Sequence, residues 1–200
     1  MIEEATLRKL YQDEGRSMAE IAKRLGVGHS TVVYWMKKHH ISRRSRSDAG
    51  YVKHNPNGDP FKIEEPKTLA GAELMGMGLG LYWGEGTKAS KSQVRLGNTD
   101  PALIAKFIEF LEKTCGVKRE KIRFWLQVFS DMHPEDTKRF WMARLNLRPE
   151  QFSKKIIVTP ARSLGTYRKK SRYGVLTVYV SNVRLRNQLI ELLRARGMEY

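Results

Sequence analysis

The sequence predicts an α+β protein in two parts. A small all-α domain spans residues 1–41, a basic linker 42–67, and a larger domain of alternating helices and strands 68–200. Three observations predict this. Up to Ile41 the apolar residues recur at helical spacing. Between Ile41 and Lys67 the chain turns to arginine, serine, asparagine, glycine and proline with few apolar residues, as linkers do. Beyond Leu69 the period switches between about 3.6 and about 2, as it must where helices pack on a sheet.

The first helix takes its apolar side from Ala5, Leu7, Leu10 and Tyr11. The second opens at Ser17-Met18-Ala19-Glu20, a capping box in which hydroxyl and carboxylate each satisfy an end amide. Ile21, Ala22 and Leu25 form its buried side, and Gly26 ends it because the turn needs a residue tolerant of positive φ. The third runs from about His29 to Lys38, burying Val32, Val33 and either Met36 or Trp35. His29, Ser30, Tyr34, Lys37 and Lys38 are left outside. In the linker, Arg43, Arg44 and Arg46 are placed to lie along phosphates or enter a minor groove, or to sit in a solvated tether.

Leu69 to Gly86 reads as a helix, yet Ala72, Gly76, Gly80 and Gly84 recur every fourth residue. They form a ridge almost without side chains, which another backbone can approach closely. Each helical glycine costs roughly 0.8 to 1 kcal/mol relative to alanine, so the ridge needs a packing partner or a function. Glu85 follows the ridge directly, and Gly86 serves as the helix stop.

After it, Gln93–Gly97 reads as a strand and Pro101–Cys115 as a helix started by Asp100-Pro101 and closed by Gly116. Lys121–Phe129 is a strand with Phe124, Leu126 and Val128 on one face and Arg123, Trp125 and Gln127 on the other. Pro134–Leu147 is helical, Lys155–Thr159 and Gly174–Val180 are extended, and Val183–Arg196 is the last helix. Alternation puts Gln93, Arg95, Arg123, Gln127, Thr177 and Tyr179 away from the apolar set, which makes them candidates for groove readout. Trp125 on that face leaves the inverted assignment open. The basic run Arg162 to Arg172, including Arg168, Lys169 and Lys170, is placed as a loop along a DNA backbone.

A net charge of +16 and a pI of about 10.1 point to a polyanionic partner. A single cysteine, Cys115, excludes an internal disulfide framework and favours a reduced, cytoplasmic setting. The five histidines form no zinc pattern with it. The start MIEEATLRKL lacks an export signal, and Glu73 interrupts an apolar run too short to cross a membrane. Gly78-x-Gly80 lacks the later glycine of a dinucleotide loop, and Gly86-Thr87-Lys88 is not a P-loop, so no small-molecule substrate is expected.

The run from Ser17 to Met36 resembles the helix-turn-helix of resolvases and many small DNA-binding modules. That resemblance implies that the third helix enters the major groove, with His29, Ser30, Thr31, Tyr34 and Lys38 toward DNA.

The motif Gly78-Leu-Gly-Leu-Tyr-Trp-Gly-Glu-Gly86, with the helix and strand order after it, resembles the LAGLIDADG homing endonucleases over about 130 residues. Gly78 replaces the leading leucine, Trp83 the first acid, and Glu85 stands where aspartate is usual, although glutamate also occurs there. The resemblance implies an α-β-β-α-β-β-α domain, here with an extra helix around Phe140 and Trp141. It also implies two motif helices crossing through small residues, with an acid from each at the scissile phosphates. One copy of the motif in the chain implies a homodimer joined through Ala72, Gly76, Gly80 and Gly84, reading a roughly palindromic duplex. Glu85 would hold Mg²⁺, with Asn98, Lys88 and Lys170 as supporting candidates. A transcription regulator that does not cleave is the alternative; an RNA-binding role ranks below both.

Overall fold

In the computed structural model, which describes residues 1–161 and 171–198, the chain opens with helix α1 (Glu4–Arg8), widening into a π-type turn over Lys9–Asp13. Leu7, Leu10 and Tyr11 are buried. Ala5 is exposed, against expectation, because it stands about 200° around the helix from Leu7. Ile2 and Ile41 complete this first core in its place. Helix α2 (Met18–Leu25) carries the expected capping box. Glu20 N–H donates to Ser17 Oγ at 3.2 Å, and Ser17 N–H donates to Glu20 Oε2 at 2.7 Å. Hydrogen bonds from the Ser17 hydroxyl and amide hold the Glu20 carboxyl below its ordinary pKa. Gly26, at φ 65°, ends the helix, and α3 (His29–Lys38) follows. Met36 rather than Trp35 completes the buried side with Val32.

The stretch read as a free linker from residue 42 holds a helix, α4 (Arg46–His54), capped by Ser45 Oγ accepting from Asp48 N–H at 3.0 Å. Its Val52 lies so close to Gly15 that a Cβ on the glycine would meet Val52 Cγ1 at 2.9 Å. Helix α4 therefore belongs to the first of two compact units, Met1–Pro60 and Phe61–Tyr200. Phe61 joins the second core, and Lys62 N–H donates to the Cys115 carbonyl at 2.9 Å. What separates the units is the polar, turn-forming stretch after His54, shorter than the composition suggests.

The second unit is α+β. Helix α5 (Leu69–Glu85), capped by Thr68, buries Met75, Gly78, Leu79 and Tyr82. It docks on α6 (Pro101–Glu109), which continues as a π-type turn over Phe110–Thr114. Gly78 makes room for this contact: a Cβ there would lie 2.1 Å from Phe110 Cγ. Gly86 is not the left-handed cap expected of it, since its φ is −73°. It is glycine because a Cβ would sit 2.3 Å from Tyr82 Cδ2.

Four strands form the sheet, β1 (Val94–Asn98), β2 (Arg123–Phe129), β3 (Ile157–Thr159) and β4 (Val175–Val180), in the order β1-β4-β2-β3. Three strands are antiparallel neighbours, and β3 joins β2 in parallel. A parallel pair needs a crossover, and α7 (Pro134–Leu145) supplies it; this is the extra helix around Phe140 and Trp141. The sequence of elements is thus helix, strand, helix, strand, helix, two strands and α8 (Val183–Arg194). Only one strand precedes α6, as the residues themselves read, rather than the two that the resemblance implies, because Thr87–Gln93 is rich in lysine and serine and has no alternating apolar set.

Val94, Leu96, Phe124, Leu126, Val128, Leu176, Val178 and Val180 bury one sheet face with Phe107, Phe110, Trp141, Leu185 and Leu189. Trp141 Nε1 donates to the Tyr173 carbonyl at 2.8 Å, anchoring α7 at the entry to β4. Among the described residues no helix is long and apolar enough to cross a membrane.

Cys115 closes the helical segment behind this core, fully buried, and burial pushes its thiol up to about 12. Because the thiolate is the reacting species, the folded chain is expected to label with a thiol reagent at pH 8 at least about 100-fold more slowly than the urea-unfolded chain. Equal rates would place Cys115 outside the core.

Candidate nucleic-acid interface

Alternation along each strand leaves one face of the sheet free of the buried apolar set. Arg95, Tyr179 and Arg123 form one row across β1, β4 and β2; Gly97, Thr177 and Trp125 form the next. All of these residues are partly exposed. The face carries cations, amides, a hydroxyl and two aromatic rings, so the assignment left open by Trp125 resolves with Phe124, Leu126 and Val128 inward.

The side chains on this face differ in how they are held. Gln93 Nε2 donates to Ser181 Oγ at 2.9 Å, and Gln127 Nε2 donates to Thr159 Oγ1 at 3.0 Å. The Arg123 guanidinium donates to the Glu120 and Ile122 carbonyls at the start of its own strand. The Trp125 and Tyr179 rings pack at 4.6 Å between centroids, tilted by 36°. Arg95 reaches across β4 and places Cζ 5.0 Å from the Trp125 centroid. That three-residue stack is legible only once β4 is known to lie between β1 and β2.

Glu85 ends α5 next to the β1 edge, where Gly86 bridges to Leu96 and Thr87 N–H donates to the Arg95 carbonyl at 2.9 Å. The Glu85 carboxylate is exposed and makes no hydrogen bond or ion pair among the described residues. Lys88 donates its ammonium to the Trp83 carbonyl at the same helix end, where a cation also complements the helix dipole. Arg186 of α8 holds the following loop, donating to the Ser90 carbonyl at 3.1 Å and the Lys88 carbonyl at 2.9 Å. Nothing in the sequence around Arg186 signals this positioning role.

Asn98, expected beside Glu85 in chemistry, works locally. Its Oδ1 accepts from Thr99 N–H at 2.7 Å and Asp100 N–H at 3.0 Å, shaping the turn into α6. Arg168, Lys169 and Lys170 lie outside the described residues. Arg172 is exposed, with Cζ 5.4 Å from the Tyr173 ring centroid.

The ridge of α5 stands open. Among the described residues, and apart from the helix's own backbone, no atom lies within 4 Å of where a Cβ on Gly76, Gly80 or Gly84 would be. Ala72 is exposed too, and around these small residues Leu69, Met77 and Trp83 are 77%, 51% and 46% exposed. A helix apolar all round but buried on one side presents an apolar face that lacks cover among the described residues.

In the first unit His29, Ser30, Tyr34 and Lys38 are exposed on α3 and Thr31 partly so. Lys38 Nζ lies 4.7 Å from the Trp35 ring centroid, so its stem is packed while its charge stays outward. Arg43 and Arg46 are exposed. Arg44 is not. Its guanidinium donates to the Gly15 carbonyl at 2.9 Å and the Arg16 carbonyl at 3.3 Å, over the Tyr11 ring at 4.1 Å. Its backbone N–H donates to Tyr11 Oη at 2.7 Å. Arg44 is therefore a structural clamp between α4 and the α1–α2 turn rather than a free arm.

Searches of protein-family models, curated proteins and solved structures found no match to this chain. Among the described residues no group of three or more His, Cys, Asp or Glu side chains converges as a metal site.

Proposed function

We propose that this chain binds a specific double-stranded DNA site as a homodimer and cleaves it with Mg²⁺, in the manner of a LAGLIDADG endonuclease with an added helix-turn-helix. The observation that carries the reading is the free sheet face. Arg95, Arg123, Gln93, Gln127, Thr177 and Tyr179 share it, opposite the core, in a chain of net charge +16. Duplex DNA is the polyanion whose groove edges offer partners to such a mixture of cations, amides and hydroxyls.

The open face of α5 supports the homodimer. A two-fold contact repeats one patch on both partners, and a ridge of Ala72, Gly76, Gly80 and Gly84 is complementary to itself. Met77 and Trp83 flank it with apolar surface to bury. On α3, His29, Ser30, Thr31, Tyr34 and Lys38 would face a major groove, with Arg43 and Arg46 toward phosphates.

Glu85 favours cleavage over regulation. Its carboxylate carries free lone pairs at the end of the ridge, and Mg²⁺ takes one or two carboxylates together with substrate phosphates and water. One chain offers one such ligand, so the donor set fits the ion when a second Glu85 and DNA oxygens complete it. The ion would supply charge at the scissile phosphate and a more acidic water. Glu85 and its equivalent orient that charge, and Lys88 and Arg186 hold the helix end in place.

Selection of bound sites from random duplexes, followed by incubation of the winning site with Mg²⁺, tests the proposal. A two-fold-related site cut within it is the expected result. Tight binding with intact DNA would make the chain a regulator, and failure to select any duplex would end the reading altogether.

A further inference from the structure

Arg95 differs from the other polar side chains of the free sheet face. Gln93, Gln127 and Arg123 each donate at least one side-chain hydrogen bond within the chain. The Arg95 side chain makes no hydrogen bond or ion pair among the described residues, and its Nε is buried without a partner. A buried donor left unpaired is costly, so a guanidinium kept in this state needs either a compensating contact or a ligand. The compensating contact is the Trp125 ring, 5.0 Å from Cζ, itself braced by Tyr179 at 4.6 Å. This stack is a cation–π contact that restrains the guanidinium without consuming its terminal N–H donors.

We infer that Arg95, held over Trp125, reads a guanine in the major groove of the bound duplex. The inference rests on the duplex-binding reading above. Guanine presents O6 and N7 as adjacent acceptors, which the guanidinium fork matches with two parallel hydrogen bonds. A flexible arginine spends entropy to reach that geometry; one stacked on indole starts closer to it. Gly97, which shares a row with Trp125, places no side chain in the path from Arg95 across β4. The same stack argues against a single-stranded partner. Bases bind such sheets by lying on open aromatic faces, whereas Arg95 and Tyr179 already contact the Trp125 ring.

Site selection with the full chain, its Arg95→Lys variant and its Trp125→Leu variant tests this. The wild-type sites should contain one invariant G·C pair per half-site. Replacing that guanine by 7-deazaguanine, which lacks the N7 acceptor, should weaken binding roughly 10- to 100-fold. Arg95→Lys should lose the preference and the sensitivity to 7-deazaguanine while its affinity for random duplex stays within about threefold, since the charge remains. Trp125→Leu should lose most of the preference with Arg95 still present, and Trp125→Phe should restore part of it. Should Trp125→Leu lower the melting temperature, Arg95→Lys alone decides.

Duplex sites without such a guanine, or a preference that survives Arg95→Lys, overturn the inference and leave duplex binding standing. An equal loss on every sequence would make Arg95 a phosphate contact. No duplex affinity, or a preference for single-stranded RNA, overturns both readings.

Discussion

Gly78→Ala is expected to destabilise the second unit by about 3 kcal/mol, at the upper end for overpacking, while Gly80→Ala on the same helix is expected to leave it as stable or more so. At Gly78 the added methyl would stand 2.1 Å from Cγ, 2.2 Å from Cδ2 and 2.7 Å from Cβ of Phe110. Phe110 cannot yield cheaply. It is 1% exposed and stacked on Phe107 at 5.9 Å between centroids. Helix α5 must therefore lift from α6, and the melting temperature should fall by roughly 10 °C. At Gly80 nothing among the described residues beyond the helix's own backbone lies within 4 Å of the new methyl, so the helix gains propensity, up to about 1 kcal/mol, without a clash. Thermal melts of the dilute chain read both effects, and a Gly78→Ala variant melting like wild type would invert the assignment of the helix faces. Gly80→Leu separates fold from association. The monomer has room for the side chain, but a close helix crossing does not, so sedimentation should show folded monomers. A dimer persisting in Gly80→Leu would remove the ridge from the interface.

That contrast also marks what is legible in sequence. Four-residue spacing isolates Gly76, Gly80 and Gly84 as one ridge, but it does not say which glycine meets another part of the same chain. Gly78 meets Phe110 because the π-type turn carries that ring onto α5, a tertiary fact with no local signal. Helix α2 has the expected bounds because Gly26 and the capping box at Ser17 are local physics. Helix α4 has no such local signal, because its stability is not local. Its sequence has no buried residue, and it is held by Val52 against Gly15 and by the Arg44 clamp.

The strand faces are legible for the same reason that α2 is. Alternation of two sorts Arg95, Arg123, Gln127, Thr177 and Tyr179 to one side without any knowledge of neighbours. Strand order is another matter. β4 lies between β1 and β2 although it is last in sequence, so the stack of Arg95, Trp125 and Tyr179 is set by topology. Asn98 looked chemical by position after a strand, yet a turn before Asp100-Pro101 needs an acceptor for its amides, and Asn98 Oδ1 is that acceptor.

Glu85→Gln is expected to cut Mg²⁺-dependent cleavage by about 100-fold or more and to leave duplex affinity within about twofold. The amide keeps the size and reach of the side chain but loses the negative charge that makes a carboxylate a ligand for a hard cation. Affinity should not fall, because the group removed is an anion facing a polyanion. Folding should not suffer either, since the Glu85 carboxylate is exposed and makes no hydrogen bond or ion pair among the described residues. Glu73→Gln is the matching control. Glu73 is exposed on the same helix, three turns before Glu85, and its loss of charge should change neither cleavage nor binding. Equal losses in both variants would point to a general electrostatic effect rather than to a ligand. Mixed dimers carry the test further: if the two Glu85 carboxylates act on the same phosphates, one Gln chain in the pair should disable both strands, whereas independent sites would leave one strand cut. Cleavage of both strands by the fully substituted dimer at the wild-type rate would remove Glu85 from the chemistry.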